Sequence, residues 1–377
     1  MTGVWIMNST VVVVGGGYGG SSVAKALDAE DGVDVVLVEP RDAFVHAAGS
    51  LRALVKPEWA GNIFFPYDGL MARGRVVRDR VAAVDADGRG VTLAGGGRIA
   101  ADYVVLASGS DYPFPAKTDS DATAEALDRL RAAHKELSAA DRVLIAGAGP
   151  VGLELAGEIA AVWPGKRITL LDPADEVMPS FTPELRAELR RQLAGLGVEL
   201  RLGAALAGEP ETPAGRAGAF AVATTAGDVI EADIWFRCHG VRVNGGYLAG
   251  SLDAGALTER GQVRVTGTLQ VRGHERLYAL GDLTDLAEAK MAAYAMQHAA
   301  VVAANIAAQV RGEQPAATYA PSPVPSVLLP LGPEGGVGQV PAEEPDSPPT
   351  LLPASAVAAY KGADLFTGRF AELFGTA

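Results

Sequence analysis

Two stretches of this sequence share one design, an apolar run that ends in glycines spaced G-x-G-x-x-G. The first is VVVVGGGYGG at residues 11–20, and the second is VLIAGAGPVG at residues 143–152. A helical pattern rich in alanine and leucine follows each turn. A second apolar run then ends in an acid, Glu39 in the first copy and Asp172 in the second. The order strand, glycine turn, helix, strand predicts a βαβ unit with parallel, buried strands.

The spacing between the two copies is nearly constant. Gly147 follows Gly15 by 132 residues, and Asp172 follows Glu39 by 133. Each copy continues into a meander of short strands with D-G or G-G turns, which closes on Gly109 and Gly240, 131 residues apart. Three landmarks that agree this closely indicate that one unit is duplicated within the 377 residues.

The chemistry of such a turn explains why the glycines and the acid occur together. The first glycine permits the tight turn, the second lets the backbone approach a pyrophosphate, and the third lets helix and strand pack closely. The phosphates then bind free N–H groups at the positive end of the helix. An acid about 20 residues further on accepts hydrogen bonds from a ribose. The duplicated unit therefore predicts two dinucleotide sites.

Composition excludes several other functions. The net charge of −13 argues against nucleic acid as a partner, because binding nucleic acid depends on a basic surface. Cys238 is the only cysteine, so intramolecular disulfides, thiolate metal clusters and C-x-x-C redox chemistry are excluded. The five histidines show no H-x-x-x-H pair. The first ten residues do not read as a signal peptide, and no apolar run approaches the ~20 residues of a bilayer span. A cytoplasmic protein is the default expectation.

The remainder of the chain adds three predicted elements. The strand RLYALG leads to Asp282, which either completes a site at the carboxyl end of the first sheet or serves only as a turn or N-cap residue. A long alanine-rich helix is expected at about residues 287–310. In the Pro- and Gly-rich segment that follows, PSVLLPLG and GVGQV flank the turn PEGG and suggest a hairpin.

The C-terminal sequence KGADLFTGRFAELFGTA carries an apolar stripe on about half of a helical wheel, formed by Leu365, Phe366, Phe370, Leu373 and Phe374. Such a stripe usually packs on its own protein. Docking at a membrane surface is the alternative.

The motifs VVVVGGGYGG, ASG, GAGPVGLELAGEI and LYALGD together resemble the two-dinucleotide-binding-domain flavoproteins of the pyridine nucleotide-disulfide oxidoreductase superfamily. The resemblance is closest to the branch of ferroptosis suppressor protein and AIF-like NAD(P)H:quinone oxidoreductases, with type II NADH dehydrogenases more distant. Stretches typical of that branch include FVHAAGSLRALV, YPFPAK, KMAAYAMQHAAVVAANI, LLPLGPEGGVGQV and YKGADLF. The resemblance implies an α/β fold with two Rossmann-like domains of the glutathione-reductase type and a small C-terminal α+β domain. The implied FAD domain covers 1–115 and 250–315, the NAD(P)H domain 116–249, and the C-terminal domain 316–377.

The resemblance also implies which residues hold FAD. They are Gly15, Gly17 and Gly20 on the pyrophosphate, Tyr18 in the same turn, Glu39 on the adenosine ribose, Arg52 near the cofactor, the closing Gly109, Asp282 on the ribityl chain, and Lys290 and Met291 beside the isoalloxazine. A lysine or a helix N-terminus at that place would stabilise negative charge on the reduced ring.

For the nicotinamide nucleotide, the implied residues are Gly147, Gly149, Pro150 and Gly152 in the turn, Glu154 near the nicotinamide, Asp172 on the ribose, and Gly240 beneath the dinucleotide. Without the resemblance, Glu154 and its neighbour Glu158 would be read as solvated or capping glutamates. Asp172 can pair with a 2′-hydroxyl but repels a 2′-phosphate, so NADH is expected over NADPH. Arg167 is the one nearby residue that could counter this preference.

The cysteine content constrains the electron acceptor. Disulfide reductases and sulfide:quinone oxidoreductases of this fold need thiols near the flavin, whereas Cys238 aligns with the closing turn of the second unit and is read as a structural buried thiol. A quinone is favoured, with oxygen or a small redox protein as alternatives. Candidates for the quinone pocket are Phe44, His46, Tyr294, Lys361 and Phe366, for each of which ordinary packing is at least as plausible. His46 is of interest because a histidine near pKa 6.5 could supply a proton to the quinol.

Two other functions stay open at this point. One is a reductase of a ferredoxin-like protein, which would want a basic docking face that a charge of −13 does not offer. The other is an AIF-like NADH-binding redox sensor with slow turnover. Peripheral contact of the C-terminus with the inner face of a membrane, and a monomer or homodimer, are likewise left open.

Overall fold

The computed structural model describes residues 8–253, 255–342, 344 and 347–377. Its strands, numbered along the chain, are β1 (Ser9–Val14), β2 (Val33–Val38), β3 (Ala43–Val45), β4 (Phe64–Pro66), β5 (Arg75–Val77), β6 (Val81–Val84), β7 (Gly90–Leu93), β8 (Arg98–Ala100), β9 (Tyr103–Leu106), β10 (Ser110–Asp111), β11 (Arg142–Ala146), β12 (Arg167–Asp172), β13 (Val198–Leu202), β14 (Phe220–Ala223), β15 (Val229–Ala232), β16 (Ile234–Arg237), β17 (Arg242–Val243), β18 (Leu277–Ala279), β19 (Val327–Leu331), β20 (Gly335–Val340) and β21 (Thr350–Leu352). The helices are α1 (Tyr18–Asp28), α2 (Ser50–Val55), α3 (Thr123–Ala139), α4 (Pro150–Val162), α5 (Pro183–Gly195), α6 (Ala292–Val310), α7 (Ala354–Val357) and α8 (Thr367–Leu373). The N-terminal segment that does not resemble a signal peptide lies mostly, at residues 1–7, outside the described residues.

The first unit is built on a five-stranded parallel sheet in the order β5-β2-β1-β9-β18. This is the strand order of a doubly wound fold, with the order reversing beside β1. The strands β1, β2 and β9 consist mainly of valine, and all their residues except Ser9, Thr10 and Asp34 are buried, as expected for a sheet covered on both faces. Its last strand, β18, comes from the second half of the chain, so this unit is discontinuous in sequence.

The second unit repeats the design with a four-stranded parallel sheet in the order β13-β12-β11-β16. The predicted meanders are present in both units: β6-β7-β8 is a three-stranded antiparallel sheet in the first, and β14-β15 is an antiparallel pair in the second. The α/β fold with two Rossmann-like units is therefore confirmed.

The two chain crossings between the units lie side by side. β10 and β17 form a short antiparallel pair in which Ser110 is opposite Val243 and Asp111 is opposite Arg242. The chain thus leaves the first unit directly after Gly109 and returns shortly after Gly240, so the two closing turns are also the connections between the units.

The predicted hairpin is confirmed as β19-β20, to which β21 adds a third antiparallel strand. This small sheet packs on α4 and α5 of the second unit. Gly157 of α4 allows the close approach, since a Cβ there would lie 2.5 Å from the Cα of Leu331.

The long helix begins later than predicted. α6 starts at Ala292 rather than at about residue 287, and Met291 has an extended backbone (φ −137°). The side chain of Lys290 turns back and donates to the carbonyl of Thr284 at 2.9 Å. In the same segment Glu288 accepts from the hydroxyl of Tyr319, so tertiary context overrides the helical preference of AEAKMA.

The C-terminal stripe is interrupted rather than continuous. Leu365 and Phe366 both have left-handed backbone (φ 56° and 64°), which ends a π-helical turn at Ala358–Gly362 before α8 begins. Leu365, Phe370 and Phe374 are buried against the first unit, whereas Phe366 and Leu373 are half-buried. In this structure the stripe packs on its own protein.

Candidate functional site

The two glycine turns have the same backbone geometry. The first glycines, Gly15 and Gly147, have φ of +101° and +113°, a region that favours glycine. A Cβ on either would overlap the carbonyl group of a residue on the neighbouring strand edge, Ala107 in the first unit and Cys238 in the second. The first glycine is therefore required twice, for conformation and for space.

The second and third glycines of each turn have different roles. A Cβ on Gly20 or Gly152 would overlap the carbonyl oxygen of Gly15 or Gly147, because each helix is pressed onto its own strand. By contrast, nothing lies within 4 Å of a Cβ built on Gly17 or Gly149. These second glycines are the residues that precede α1 and α4, where free N–H groups face outward. The same openness holds for the closing glycines, Gly109 and Gly240.

Each predicted ribose acid touches its own glycine turn. The N–H of Gly16 donates to Glu39 Oε2 at 2.7 Å, and the N–H of Ala148 donates to Asp172 Oδ2 at 2.7 Å. Glu39 is buried and also meets Arg41, whereas Asp172 is half-buried. The equivalent contacts place both acids at the carboxyl ends of β2 and β12, where a ribose beside the turn would lie.

Arg167 lies too far from Asp172 to counter its charge. It begins β12 and Asp172 ends it, so at about 3.3 Å per residue their backbones are roughly 17 Å apart. Of the acids that follow, Glu176 is paired with Arg190 at 3.0 Å. The expectation that Arg167 could reach the ribose is wrong.

Asp282 lies at the carboxyl end of the first sheet, in a helical turn at Gly281–Leu283 directly after β18. Ser110 Oγ donates to Asp282 Oδ2 at 2.5 Å, and Lys117 Nζ lies 3.7 Å from the same oxygen. Burial lowers the pKa of Lys117, which Asp282 opposes. Sequence reasoning missed Ser110 and Lys117, although Ser110 follows Gly109 directly and Lys117 ends the stretch YPFPAK.

A cleft beside Asp282 brings together Lys290 and Met291, expected at the isoalloxazine, with Tyr294, expected in the quinone pocket, and with His298, which sequence reasoning missed. Asp282, Lys290, Met291, Tyr294 and His298 all line it, and α6 begins there. Burial lowers the pKa of Lys290, while Asp282, Glu288 and Asp285 act in the opposite direction. In this structure the ammonium of Lys290 donates to the carbonyl of Thr284.

Two ion pairs, one buried and one half-buried, join the second unit to the rest of the chain. Arg52 Nη2 lies 2.6 Å from Glu158 Oε1, with both side chains at most 4% exposed. Lys361 Nζ lies 2.8 Å from Glu154 Oε1. Burial raises the pKa of Glu154, and Lys361 lowers it in part. The reading of Glu154 and Glu158 as solvated or capping residues is therefore wrong.

Arg52 is expected near FAD, but its guanidinium is bonded to protein groups. Its Nε and Nη2 donate to Glu158, and its Nη1 donates to the carbonyl of Ala363 at 2.9 Å. It thus holds together α2, α4 and the C-terminal segment. Each nitrogen of the Arg52 guanidinium thus has a protein acceptor, and both carboxylate oxygens of Glu158 accept from it.

His46 is buried, and both ring nitrogens have partners. Nδ1 lies 3.0 Å from the hydroxyl of Tyr18, and Nε2 lies 2.5 Å from the carbonyl oxygen of Leu365. Burial lowers the pKa of His46 to about 4. The expectation that it titrates near 6.5 and supplies a proton to a quinol is therefore wrong, because its proton is donated to a backbone carbonyl.

An aromatic cluster surrounds His46 and holds α8. Phe44 stacks on Phe370 and Phe374, with ring centroids 5.3 and 4.8 Å away, and Phe65, Tyr67 and Tyr18 complete it. Phe44 is 1% exposed and belongs to the core rather than to a pocket. Of the predicted pocket residues, Tyr294, Lys361 and Phe366 stay partly accessible.

Cys238 is a buried thiol, as predicted, and burial raises its pKa to about 12. Its carbonyl oxygen accepts from the hydroxyl of Tyr112 at 2.5 Å and lies beneath Gly147. The thiol is therefore neutral and belongs to the second turn, not to the Asp282 cleft. Within the part of the chain that the structure describes, no group of three His, Cys, Asp or Glu side chains is arranged to hold a metal.

A further cavity of about 430 Å³ lies at the other end of the first sheet, lined by Thr10, Asp34, Arg73, Arg75 and Arg98. Thr10, Asp34 and Arg75 lie at the amino ends of β1, β2 and β5, Arg73 precedes β5, and Arg98 begins β8. Ligands of doubly wound sheets bind at the carboxyl ends, so this cavity has no part in the nucleotide sites.

The residues present fit the two dinucleotides that the turns suggest. The open backbone at Gly17, Gly109, Gly149 and Gly240 leaves room where a side chain would obstruct a pyrophosphate, and an acid stands beside each turn. The first unit alone adds Asp282 and the start of α6, so the first site suits the resident flavin and the second the exchanging nucleotide.

Comparison with known proteins agrees with this geometry. Residues 9–304 match the family described as pyridine nucleotide-disulphide oxidoreductase. Ferroptosis suppressor protein 1 of Taeniopygia guttata is 34% identical over 334 residues, 88% of each chain. Apoptosis-inducing factor homolog B of Dictyostelium discoideum is 29% identical and covers 96% of this chain and 95% of its own. Among solved structures, the sulfide:quinone oxidoreductase of Aquifex aeolicus has a TM-score of 0.77 at 18% identity, over 98% of this chain and 92% of its own, which is a likeness of fold. Of the helices described, none has the length and hydropathy needed to span a bilayer.

Proposed function

This chain belongs to the pyridine nucleotide-disulphide oxidoreductase family, and from that premise we propose that it oxidises NADH through FAD and passes two electrons to a quinone. The coarser activity, an FAD-dependent NAD(P)H oxidoreductase, follows from the family and its relatives. NADH as the donor and a quinone as the acceptor are the proposed refinements.

The observation that carries the acceptor proposal is the state of the only thiol. Cys238 is buried, has a raised pKa and lies under the second glycine turn. A disulfide, persulfide or peroxide substrate would need a reactive thiol beside the flavin. A quinone needs none, and the resemblance to AIF-like quinone oxidoreductases supports it over oxygen.

A ferredoxin-like acceptor is disfavoured by charge. Such partners are usually acidic, and a surface with a net charge of −13 would repel them. The C-terminal segment also lies across the first unit, where Leu365, Phe370 and Phe374 are buried.

The donor preference follows from Asp172. Its carboxylate is held in place by the N–H groups of Ala148 and Ala174, so its remaining acceptor positions can bind a 2′-hydroxyl. A 2′-phosphate at that place would meet like charge, and Arg167 cannot compensate. NADH is therefore proposed over NADPH.

When bound, FAD supplies a centre that takes two electrons from the nicotinamide and gives them up to the acceptor. The protein binds and orients. The turns at Gly15–Gly20 and Gly147–Gly152 hold the two pyrophosphates, and Asp282 with Ser110 and Lys117 forms a polar wall at the first site. Lys290 and the start of α6 place positive potential at the cleft. The ion pair of Glu154 on α4 with Lys361 places two fixed charges on the second unit.

Steady-state assays test the proposal. Purified, FAD-loaded protein is supplied with NADH or NADPH and with a short-chain quinone, a ferredoxin or oxygen alone. We expect kcat/KM to be at least tenfold higher with NADH than with NADPH, and turnover with the quinone to exceed that with ferredoxin or oxygen. Faster ferredoxin reduction, or turnover that stays slow with every acceptor, would replace the quinone with a protein partner or with a sensor role.

A further inference from the structure

A buried polar network lies behind the turn that carries Asp282. The N–H of Gly281 donates to Nδ1 of His298 on α6 at 3.0 Å. Gly281 has a left-handed backbone (φ +68°), and a Cβ there would press on Ala295 of α6. His298 thus accepts the first N–H of the turn in which Asp282 lies.

The other side of the imidazole faces a carboxylate. Nε2 of His298 lies 2.9 Å from Glu288 Oε1, although its N–H bond is not aligned for a regular hydrogen bond. The second oxygen of Glu288 accepts from the hydroxyl of Tyr319 at 2.5 Å, and the Tyr319 ring meets the imidazole edge-on at 4.3 Å. All three side chains are thereby fixed relative to the turn.

The contacts require one tautomer. Because the backbone N–H of Gly281 is a donor, Nδ1 must be unprotonated, and the ring proton must be on Nε2, facing Glu288. Burial and the charge of Lys290 lower the pKa of His298 to about 4, against a smaller raising effect of Asp282. The imidazole is therefore neutral near pH 7, as acceptance from Gly281 demands.

We propose that His298 is a positioning residue of the flavin site, which holds the Gly281–Asp282 turn in place for the cofactor, and that Glu288 with Tyr319 fixes its tautomer. The inference rests on the proposed FAD site. His298, Glu288, Asp282, Lys290 and Met291 line one cleft, so the network lies directly behind the surface that the flavin would contact. Without the acceptor, the partly buried N–H of Gly281 would lose its protein partner and the turn would relax away from the cofactor.

The test compares two variants of His298 with one control variant of Gln309. His298→Leu removes the acceptor at similar volume, His298→Asn keeps an acceptor at about the distance of Nδ1, and Gln309→Leu removes hydrogen bonds elsewhere on α6. FAD is stripped from each protein and its Kd is measured by fluorescence titration, together with the visible circular dichroism of the bound flavin. We expect about a tenfold higher Kd and altered dichroism for His298→Leu. His298→Asn should restore both largely, and Gln309→Leu should lower the melting temperature without changing either.

A companion variant addresses the tautomer. Glu288→Leu should weaken FAD less than His298→Leu does, since Nδ1 can still accept from Gly281 in part of the population. An unchanged Kd and dichroism in His298→Leu would overturn the inference while leaving the proposed function intact. Failure of the unmodified protein to bind FAD would instead contradict the proposed function itself. A His298→Leu protein that does not fold leaves His298→Asn as the deciding variant, which must then bind FAD within about threefold of the unmodified chain.

Discussion

Gly149 and Gly152 lie three residues apart in one turn, yet a methyl group at the two positions would meet different surroundings. At Gly149 it would project into open space before α4, and at Gly152 it would overlap the carbonyl oxygen of Gly147. Gly149 is therefore required by the ligand, and Gly152 is required by the fold.

This difference predicts opposite phenotypes. Gly149→Ala should raise the Kd for NADH about tenfold or more, because the methyl would stand where the pyrophosphate approaches, while the melting temperature stays within about 2 °C. Gly152→Ala should lower the stability by about 3 kcal/mol, because helix and strand must separate. Isothermal titration and thermal melts measure the two effects. Gly17→Ala is the matched control, since it should weaken FAD and leave NADH binding to the loaded protein unchanged; equal loss of stability in both alanine variants of the second turn would contradict this division.

The two buried histidines predict an acid-sensitive fold. The pKa of His46 and that of His298 are each lowered to about 4 by burial, whereas an unfolded histidine titrates near 6.5. Between these values the unfolded state binds protons that the folded state does not. Their contribution is thus complete above pH 6.5 and is lost as the pH falls toward 4, at up to about 1.4 kcal/mol per pH unit for each histidine.

Denaturant titrations at pH 7, 6 and 5 test this, with FAD at saturation. Glu154 and Glu288 have raised pKa values and oppose the trend, so the informative quantity is the difference between variants. His46→Asn should show a shallower loss of stability than the unmodified chain over this range. Identical slopes would mean that His46 titrates normally in the folded state.

At the scale of elements, α2 is a connector between units. It belongs in sequence to the first unit, but Leu51, Leu54 and Val55 pack in the core of the second. Arg52 on the same helix reaches Glu158 of α4 and the carbonyl of Ala363. One short helix thus contacts both units and the C-terminal segment.

Breaking the Arg52–Glu158 pair should be costly. Arg52→Met leaves a buried, unpaired carboxylate and should destabilise the protein by about 3–5 kcal/mol. The double variant Arg52→Met with Glu158→Met removes both charges and should recover a large part of that loss. Chemical denaturation of the single and double variants measures the coupling, and losses that simply add would contradict a paired role.

The C-terminal helix α8 is anchored by Phe370 and Phe374, which are buried in the core of the first unit. Phe374 is fully buried between Phe44, Phe65 and Tyr67, and Lys25 donates to the carbonyl of Leu373. Phe374→Ala should therefore cost about 3–5 kcal/mol, seen as a lower melting temperature or as earlier proteolysis of the C-terminus. Leu373→Ala, at a half-buried position, should cost less than half as much; if the two variants behave alike, α8 is not anchored by its aromatic face.

These elements also show what the sequence could and could not predict. The strands, glycine turns, meanders and hairpin were predicted because their signals are local: valine runs, paired glycines and turn residues. The start of α6 and the break at Leu365–Phe366 were not. Both places carry contacts with distant residues, Glu288 with Tyr319 in one case and the carbonyl of Leu365 with His46 in the other. The partners of Arg52, Glu154 and His46 lie 106, 207 and 319 residues away, distances over which one sequence carries no pairing signal.

At the scale of the whole molecule, the duplication has a geometric consequence. The first unit recruits β18 and α6 from the second half of the chain, so its sheet has a fifth strand and a carboxyl-end residue, Asp282, that the second unit lacks. The paired crossings β10 and β17 then bring both closing glycines to the junction between the units. Under the proposed function, the two similar turns would serve unlike ligands, one enclosed by later elements and one open for exchange.

The central claim is that electrons pass from NADH to a flavin held by this chain and then to a quinone. Anaerobic stopped-flow on the purified yellow protein tests it most directly. We expect NADH to bleach the flavin absorbance near 450 nm rapidly, NADPH to do so at least about tenfold more slowly, and a short-chain quinone to restore the band. A flavin that stays oxidised in the presence of NADH, or a reduced flavin that a quinone leaves unchanged, would contradict the account.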